Sequence, residues 1–430
     1  MLDLKFVREN QEAVAQAMKN RHASWDASRF SELDEARRAA ITEEEALQAE
    51  RNATSKSIGQ MMAAGEKDKA EAAKERVREI NDQLAAVSAK REAADSELHD
   101  ILLRTPNMPA DTTPVGDDEN DNPEVRRWGT SRDFEAEGIQ MKPHWDLGAD
   151  LHMLEPERAV KLAASRFVLL RGQAARLERA IINFMADTHT SRGYTEWWCP
   201  AMANADTLTG TGQLPKFEDD LFKTREGLYL IPTAEVQLTN IHSGEVLEAS
   251  DLPLHYCAFT PCFREEAGSA GRDTRGIIRV HQFDKVEMFV YTKQEDSYKE
   301  HEHLLAMEQE MLGKVEVPYR IIDTAAGDLG SSAARKFDCE AWVPTQGRYR
   351  ELTSTSNCTE YQARRLNIRE RMEDGNTRAV STLNGTLATT RWLVAILENH
   401  QQKDGSIEIP KAMRPYMGGK EVIEPTKWEA

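Results

Sequence analysis

The first 105 residues contain no proline and only two glycines, Gly59 and Gly65. Because proline and glycine interrupt helices, their scarcity over this length favours long, unbroken helices. All 16 prolines and the other 22 glycines come later, starting with Pro106. The composition therefore predicts a domain boundary near that residue.

Cysteine and long apolar runs are also scarce. The five cysteines are odd in number and no two have CxxC spacing, which argues against a disulfide framework or a zinc ribbon. Reduced thiols fit a cytoplasmic protein that needs no zinc. The longest apolar runs, such as Trp392 to Leu397, are far too short to cross a bilayer. The start, Met1 to Lys5, lacks the basic-then-apolar layout of a signal peptide, so we expect a soluble globular protein.

Positive charge is in deficit across the chain. Lysine plus arginine total 55 against 73 acidic residues, a net charge of −18 over 430 residues. Since phosphate contacts need local positive charge, this total alone argues against a nucleic-acid partner. The length supports two or three domains with a sizeable core.

Two apolar stripes mark the N-terminal region. Steps of three and four residues connect Leu33, Ala36 and Ala40 with later apolar positions, and a second stripe runs from Ala73 to Ile101. This spacing predicts an antiparallel helical hairpin, a coiled coil over about residues 30–100, with arms roughly 45 Å long.

Cations gather near the tip of this hairpin, at Lys67, Lys69, Lys74, Arg76 and Arg78. However, residues 35–100 hold 11 basic and 15 acidic side chains, so even this arm is net −4. By charge alone a solvated coiled coil is the simpler interpretation, and it stays open beside nucleic-acid binding.

Beyond the arm the pattern changes twice. Residues 106–125 carry four prolines and several acidic residues, which predicts an acidic, solvated linker. Residues 126–430 mix helical and β-rich stretches, which predicts a single α+β domain. The predicted helices are 160–188, 297–312, 358–372 and 389–401, and the predicted strands are 227–231 and 280–292.

The most informative stretch is 260–291, where two extended runs flank a loop rich in glycine and arginine. The loop residues are Gly268, Gly271, Arg272, Arg275, Gly276 and Arg279. Arginines on such a loop suit a polyphosphate. In the second run alternate side chains share a face, so Phe283, Lys285 and Glu287 line up with His281. A salt-bridged surface hairpin is the alternative, which the density of these motifs disfavours.

These residues resemble motif 2 of the class II aminoacyl-tRNA synthetases, in the form that the seryl-tRNA synthetase family carries. The resemblance rests on FREE at 263–266 and RVHQFDKVE at 279–287. Other segments resemble the same family in the same order, from the N-terminal arm to the C-terminus. They are motif 1 at about 173–200, the loop at 210–217, TAE at 233–235, motif 2 at about 256–291, ELTSTSN at 351–357, motif 3 at about 384–401 and RPYM at 414–417.

The resemblance implies an α+β architecture and an activity. A tRNA-binding coiled-coil domain (1–105) and a linker (106–125) would precede a class II catalytic domain (126–430), built on an antiparallel β-sheet with flanking helices. The family activates L-serine with ATP to seryl-adenylate and pyrophosphate, with Mg²⁺, and transfers serine to the 3′-terminal ribose of serine tRNA. A cytoplasmic homodimer is implied, and whether selenocysteine tRNA is also a substrate stays open.

The resemblance also implies roles for individual residues. Catalysis would rest on Arg264, Arg391 and Glu287. Serine would be bound by Thr233, Ala234, Glu235, Arg264, Glu287 and Thr386. ATP would be bound by Arg264, Glu265, Glu266, Arg275, Val280, Phe283, Glu351, Leu352, Thr353, Ser354 and Arg391. Magnesium would be held with ATP by Glu351 and Ser354. The arm would bind tRNA through Lys67, Lys69, Lys74, Arg76 and Arg78.

Two other functions deserve comparison. A synthetase-like ligase that loads an amino acid onto a carrier protein would lack the long N-terminal hairpin. A catalytically dead, synthetase-like scaffold would be expected to lose Arg264, Glu287, Glu351 or Arg391, and all four are present. Motif 3 departs from the commonest bacterial form, since it is one residue shorter before Arg391.

Overall fold

A computed structural model describes residues 1–267, 271, 273 and 275–425. Gly268 and Arg272 of the arginine-rich loop lie outside the described residues. The chain separates into two compact units, one formed by Leu2–Lys19 and Ala23–Pro106 and the other mainly by the chain from Asn107 onward. Within the described ranges, no helix is long and apolar enough to span a membrane.

The α-helices lie in both units. They are α1 (Leu4–Glu9), α2 (Gln11–Asn20), α3 (Ala27–Ala63), α4 (Lys67–Arg104), α5 (His144–Asp150), α6 (Pro156–Ala163), α7 (Gln173–Thr190), α8 (Ala205–Thr211), α9 (Glu235–Asn240), α10 (Ser297–Lys314), α11 (Tyr361–Leu366) and α12 (Arg391–Asn399).

The β-strands all lie in the second unit. They are β1 (Glu124–Trp128), β2 (Thr195–Glu196), β3 (Met202–Ala203), β4 (Tyr229–Leu230), β5 (Val246–Glu248), β6 (Leu254–Phe263), β7 (Gln282–Thr292), β8 (Tyr319–Asp323), β9 (Arg335–Val343), β10 (Arg348–Asn357), β11 (Arg369–Arg371), β12 (Thr377–Ala379), β13 (Ser381–Thr389), β14 (Ile407–Glu408) and β15 (Val422–Ile423).

Helices α3 and α4 form the predicted antiparallel hairpin. The side chain of Asp26 caps the start of α3 by accepting a hydrogen bond from the backbone N–H of Arg29. Gly65 turns the chain between the helices with a φ of +75°, which a glycine adopts without strain. Leu33 and Leu98 are among the buried residues of the seam.

The predicted stripe on α3 is wrong at Ala36, which is exposed. The step from Leu33 to Ala40 passes instead through Arg37, which is half-buried and pairs with Asp95. Glu44 continues this row and accepts a 2.7 Å hydrogen bond from Arg91 of α4. The seam of the arm therefore contains charged side chains that an apolar stripe cannot predict.

An eight-stranded sheet organises the second unit, in the order β1-β8-β9-β10-β13-β7-β6-β2. Its pairs are antiparallel except the pair of β2 with β6 at one edge. Strand β7 is packed on both faces: Val286 and Met288 join the main core with α7, α10 and α12, while Phe289 and Tyr291 join a second apolar cluster. The α+β prediction with an antiparallel sheet and flanking helices is confirmed.

Two predicted helices are wrong in their extent. The helix predicted at 160–188 is interrupted between α6 and α7, where Ala164 and Arg166 have positive φ angles that end helical geometry. The helix predicted at 358–372 is only α11, because Asn367 at its C-cap is left-handed and turns the chain toward β11. Local composition favoured helix in both places, and the backbone conformation overrode it.

The stretch predicted as a solvated linker is partly packed. Asn107 and Thr113 are buried, and the Thr113 hydroxyl donates a 2.8 Å hydrogen bond to the carbonyl oxygen of Ala334. The acidic residues of this stretch, among them Asp117 and Asp118, are exposed as expected.

Candidate active site

The hairpin of β6 and β7 presents the polar row that the sequence predicts. Phe283 and Lys285 of β7 both line a cleft, and Glu287, next on the same face, contacts Lys285. Because side chains two residues apart on a strand point the same way, the ring, the cation and the carboxylate lie in series. Three functional side chains of one strand thus line or adjoin one cleft.

Strands β10 and β13 and the start of α12 complete this cleft. Its lining includes nine of the residues predicted from the sequence. They are Arg264, Glu266, Val280, Phe283, Glu351, Leu352, Ser354, Thr386 and Arg391.

Arg264 lies directly after β6, against the aromatic ring of β7. Its guanidinium carbon is 5.1 Å from the centre of the Phe283 ring, within range of a cation–π contact. Its backbone N–H donates a 2.9 Å hydrogen bond to the carbonyl oxygen of His281. The backbone bond holds Arg264 at the mouth of the hairpin, where its charge faces the cleft.

Arg391, the first residue of α12, is tied to two other segments. Its Nε donates a 2.8 Å hydrogen bond to the carbonyl oxygen of Ile278. One terminal guanidinium nitrogen donates a 3.1 Å hydrogen bond to the carbonyl oxygen of Glu351. Burial lowers the pKa of Arg391, but an arginine starts so far above neutrality that the group remains a cation.

Glu351 faces a surplus of positive charge. Burial would raise the pKa of its carboxyl, but the charges of Lys336 and Arg391 outweigh burial, so the pKa is lowered. The carboxylate oxygen lies 3.6 Å from the nearer guanidinium nitrogen of Arg391. Glu351 is therefore held as an anion in a cation-rich part of the cleft.

Lys285 connects the cleft with a buried carboxylate beside it. Its Nζ lies 2.6 Å from Oε2 of Glu287 and donates a 3.1 Å hydrogen bond to the hydroxyl oxygen of Thr233. Glu287 is 1% exposed, and this burial raises the pKa of its carboxyl to about 7, although the ammonium of Lys285 opposes the shift. Thr386 is paired directly opposite Glu287 in the sheet.

Glu235 supplies a second carboxylate near the same place. Its Oε1 accepts hydrogen bonds from the side-chain amides of Gln362 at 2.7 Å and Asn384 at 3.0 Å. Burial raises the pKa of Glu235, and the hydrogen bond from Gln362 partly offsets the rise. Two carboxylates and one lysine therefore share a small region beside the cleft.

A buried hydrogen-bond chain joins the three motif regions at the wall of the cleft, where Thr390 lies. The hydroxyl of Thr390 donates a 2.8 Å hydrogen bond to Glu178 of α7. It accepts a 3.1 Å hydrogen bond from the backbone N–H of Asp284. Burial raises the pKa of Glu178 to about 8. These contacts fix α7, β7 and the start of α12 in register with one another.

Four predicted residues lie apart from the cleft. The side chain of Thr353 donates a 2.8 Å hydrogen bond to Glu308 of α10, so it lies on the face of β10 opposite to the Ser354 side chain. Ala234 is fully buried in an apolar cluster. Arg275 is exposed and lines a different hollow with Trp145. Glu265 is not among the lining residues, and its backbone N–H bonds to the carbonyl oxygen of Asp220.

The cleft also contains residues to which the sequence assigned no individual role. Lys285, Arg279 and Ile278 line the cleft. For Lys285 the signal was present, because the period of two in β7 already put it between Phe283 and Glu287. Asn384 and Gln362 had no such signal, since their meeting at Glu235 depends on packing between distant segments.

Four of the five cations at the tip of the arm lie within ion-pair distance of an acidic side chain: Lys69, Lys74, Arg76 and Arg78. Lys69 lies 3.0 Å from Glu66, and Arg78 lies 3.0 Å from Glu75. Arg76 reaches Glu50 of α3 at 2.8 Å. These side chains are largely in solvent, where ion pairs contribute little and exchange partners readily.

Comparisons with known proteins agree with this geometry. Residues 216–400 match the family model of the class II tRNA synthetase core domain (G, H, P, S and T), and residues 1–109 match that of the seryl-tRNA synthetase N-terminal domain. A serine–tRNA ligase of Bifidobacterium adolescentis is 57% identical over the full length of both chains.

Two solved structures are similar over nearly the whole chain. A seryl-tRNA synthetase of Pyrococcus horikoshii complexed with ATP is 38% identical, has a TM-score of 0.91, and covers 99% of this chain and 100% of its own. A cytoplasmic serine–tRNA ligase of Naegleria fowleri in complex with AMP is 30% identical, has a TM-score of 0.88, and covers 99% of each chain.

The antiparallel sheet, its arginine-bearing hairpin and the core-domain match define a class II aminoacyl-tRNA synthetase. Within this class, the N-terminal match and the full-length identity leave one family: the chain belongs to the seryl-tRNA synthetases. The predictions of this family and of an aminoacyl-tRNA ligase are confirmed.

Proposed function

We propose that the cleft activates L-serine with ATP and that the activated serine then passes to serine tRNA. One serine carboxylate oxygen attacks the α-phosphorus, and the bond from that phosphorus to the β-phosphate oxygen breaks. The products are seryl-adenylate and pyrophosphate. A hydroxyl of the terminal ribose then attacks the seryl carbonyl, and AMP leaves. The observation that carries this proposal is the convergence of Arg264, Phe283 and Arg391 on one cleft beside the buried Glu287.

The first step needs positioning and charge neutralisation more than a protein nucleophile. We assign Arg264 to the α-phosphate, where negative charge builds in the transition state. Phe283 offers its ring to adenine, next to the backbone of Val280. Arg391 is assigned to the distal phosphates, since its guanidinium is anchored but lines the cleft.

Charge counting supports a serine site beside Lys285. When Glu287 and Glu235 are both ionised, the single charge of Lys285 leaves the pair with one net negative charge, which the ammonium group of serine can balance beside Glu287. Thr386 and Thr233 offer hydroxyl groups to the serine side chain. A site built to hydrogen-bond a hydroxyl rejects alanine and glycine, because its own polar groups would lose their partners.

Magnesium fits this cleft only together with ATP. Among the described residues, no group of three or more His, Cys, Asp or Glu side chains is arranged to hold a metal. Glu351 and Ser354 line the cleft and offer oxygen donors, which suits a Mg²⁺ that takes its other ligands from phosphates and water. When bound, the ion neutralises phosphate charge, while Glu351 and Ser354 orient it.

The arm is assigned to tRNA recognition. Lys67, Lys69, Lys74, Arg76 and Arg78 lie on α4 near the turn of the hairpin. The exposed acidic partners of the last four can be exchanged for RNA phosphates at small cost. A rod with a few such cations suits the long variable arm of serine tRNA, read mainly by backbone and shape. Charging assays that compare serine tRNA with selenocysteine tRNA test whether the second is also a substrate.

We assign the cytoplasm and a homodimer to this enzyme. All five cysteines are free thiols, which suits a reducing compartment. Trp198, 89% exposed, follows the edge strand β2, and exposed Trp197 and Met202 flank it. An exposed apolar patch at a sheet edge suits a second copy of the chain. Trp198→Asp should yield monomers by light scattering, while Val125→Asp on the opposite edge strand β1 should not.

Serine-dependent exchange of pyrophosphate into ATP tests the activation step, with serine, threonine, alanine and glycine compared side by side. We expect exchange with serine only. Exchange that is absent with serine, or equal with threonine, contradicts the assignment of the substrate.

A further inference from the structure

Helix α12 holds the returning limb of the motif 2 loop at two neighbouring residues, Ile277 and Ile278. At its first residue, Arg391 donates a hydrogen bond to the carbonyl oxygen of Ile278. Seven residues later, Oε1 of Glu398 lies 2.8 Å from Nδ1 of His144, whose Nε2 lies 3.1 Å from the backbone nitrogen of Ile277. Residues seven apart share a helix face and lie about 10.5 Å apart. One face of α12 therefore contacts the loop twice: Arg391 bonds directly to Ile278, and Glu398 reaches Ile277 through His144.

The protonation state of His144 follows from its partners. The backbone nitrogen of Ile277 can only donate, so Nε2 of His144 accepts and carries no proton. The ring proton is then on Nδ1, where it is donated to Glu398. His144 is a neutral imidazole whose two nitrogens each have a fixed task.

The His144–Glu398 pair is itself held rigidly. Both side chains are completely buried. Oε1 of Glu398 also accepts from the backbone N–H of His144 at 3.0 Å, and Oε2 accepts from the hydroxyl of Thr345 at 2.6 Å. Since both carboxylate oxygens are bonded, Glu398 cannot turn away from the imidazole without losing buried hydrogen bonds.

The loop is shaped to receive the imidazole ring. Gly276 has a φ of +76°, and a Cβ atom at this position would lie 2.0 Å from Nε2 of His144. No side chain can occupy that space while the ring stays in place. The contact is therefore specific to glycine at 276 and to the ring of His144.

We propose that His144 and Glu398 are positioning residues for the nucleotide: they hold the loop limb so that residues 277–280 keep their places in the cleft. Ile277, Ile278 and Val280 line that cleft, whereas neither His144 nor Glu398 does. Both act through the loop backbone. The identity of the nucleotide rests on the proposed function, whereas the anchor itself does not.

Substitutions at His144 separate its two bonds. Asparagine places an amide nitrogen near the position of Nδ1, so His144→Asn keeps a donor for Glu398 but has no acceptor for Ile277. Glutamine places its amide oxygen near the position of Nε2, so His144→Gln keeps an acceptor for Ile277. His144→Ala removes both contacts.

In serine-dependent ATP–pyrophosphate exchange, His144→Ala and His144→Asn should raise the KM for ATP about tenfold, equivalent to about 1.4 kcal/mol, because a buried peptide N–H loses its partner. His144→Gln should stay within about threefold of the wild type, and kcat and the KM for serine should change less in all three variants. Equal effects of asparagine and glutamine, or equal rises in both KM values, would overturn the proposal in favour of a purely structural role.

His400→Ala is the matched control. His400 is also buried, and its Nε2 bonds to the carbonyl oxygen of Val315 at 2.8 Å, away from the loop. This variant measures the general cost of truncating a buried imidazole and should leave the KM for ATP unchanged. A KM rise equal to that of His144→Ala would contradict the assignment.

A second measurement does not depend on catalysis. Amide hydrogen exchange, followed by mass spectrometry on the ligand-free full chain, should become faster at residues 275–280 in His144→Ala and His144→Asn but not in His144→Gln. Unchanged exchange at this segment in His144→Ala would overturn the anchor, even if the enzyme were less active. A wild-type enzyme that does not respond to serine would instead overturn the proposed function and leave the anchor to this measurement.

Discussion

The tip of the arm and the cleft of the second unit place their charges in opposite environments. At the tip of the arm, pairs such as Lys69–Glu66 lie in solvent and join residues that are three positions apart. Beside the cleft, Lys285 and Glu287 are buried, and burial raises the pKa of Glu287 to about 7. Exposed pairs are weak and exchange partners easily, whereas buried pairs have fixed geometry and altered protonation. The first arrangement suits reversible contact with an RNA surface, and the second suits chemistry.

The largest expected effect comes from removing most of the helical hairpin. Replacing residues 35–100 with a short flexible linker should abolish charging of serine tRNA while serine-dependent ATP–pyrophosphate exchange continues at a wild-type rate. The cleft is built without any residue of this segment, so activation should not need it. Parallel charging and exchange assays on the same preparation measure both. Charging that survives the deletion would show that the arm is not the tRNA-binding element.

Within the second unit, Arg264→Ala should lower the rate of exchange by about 10³, as expected when one preorganised charge at a developing anion is removed. Arg275→Ala provides the comparison, because this arginine is exposed and lines a different hollow. Its effect should be less than tenfold by the usual scale of exposed charge contacts. Circular dichroism checks that both variants are folded. Equal losses would mean that the cleft of Arg264 is not where ATP reacts.

The buried carboxylate predicts a pH dependence. Because the pKa of Glu287 is raised to about 7, the carboxyl becomes protonated as the pH falls below that value and can no longer pair with the ammonium group of serine. We therefore expect kcat/KM for serine to fall about tenfold per pH unit well below pH 7. Glu287→Gln should raise the KM for serine about 10 to 100-fold and remove this dependence. A profile that is the same in both enzymes would assign the titration to another group.

The smallest effect is expected on the arm. Lys67→Ala with Lys69→Ala should raise the KM for tRNA about three- to tenfold and reduce the slope of log KM against log salt by about 2, since two phosphate contacts are removed. Lys90→Ala with Arg104→Ala removes the same charge at exposed positions of α4 far from the tip and serves as the control. Equal effects of the two pairs would favour non-specific attraction, and no effect of either would favour the solvated coiled coil.

The sequence predicted elements well where one periodicity persisted and poorly where a single backbone conformation decided. The arm and β7 carry long, regular patterns, and both were predicted. The helix predicted at 160–188 failed because Ala164 and Arg166 adopt positive φ angles. On α3, the three-four spacing suggested Ala36 where Arg37 lies in the seam. Hydrophobic spacing alone does not distinguish these two registers, because a long arginine stem can pack inward while its charge reaches a partner.

The sequence by itself determined the family, the order of the motifs and most of the cleft-lining side chains, because each motif is a short segment whose chemistry is local. Only the tertiary structure decided how the segments meet. It turned Thr353 toward Glu308 and away from the cleft, and it placed Lys285 between Glu287 and Thr233. It also joined His144 to Glu398 and the motif 2 loop. Such contacts join residues up to 254 positions apart, and their partners are selected by packing, which no local pattern records.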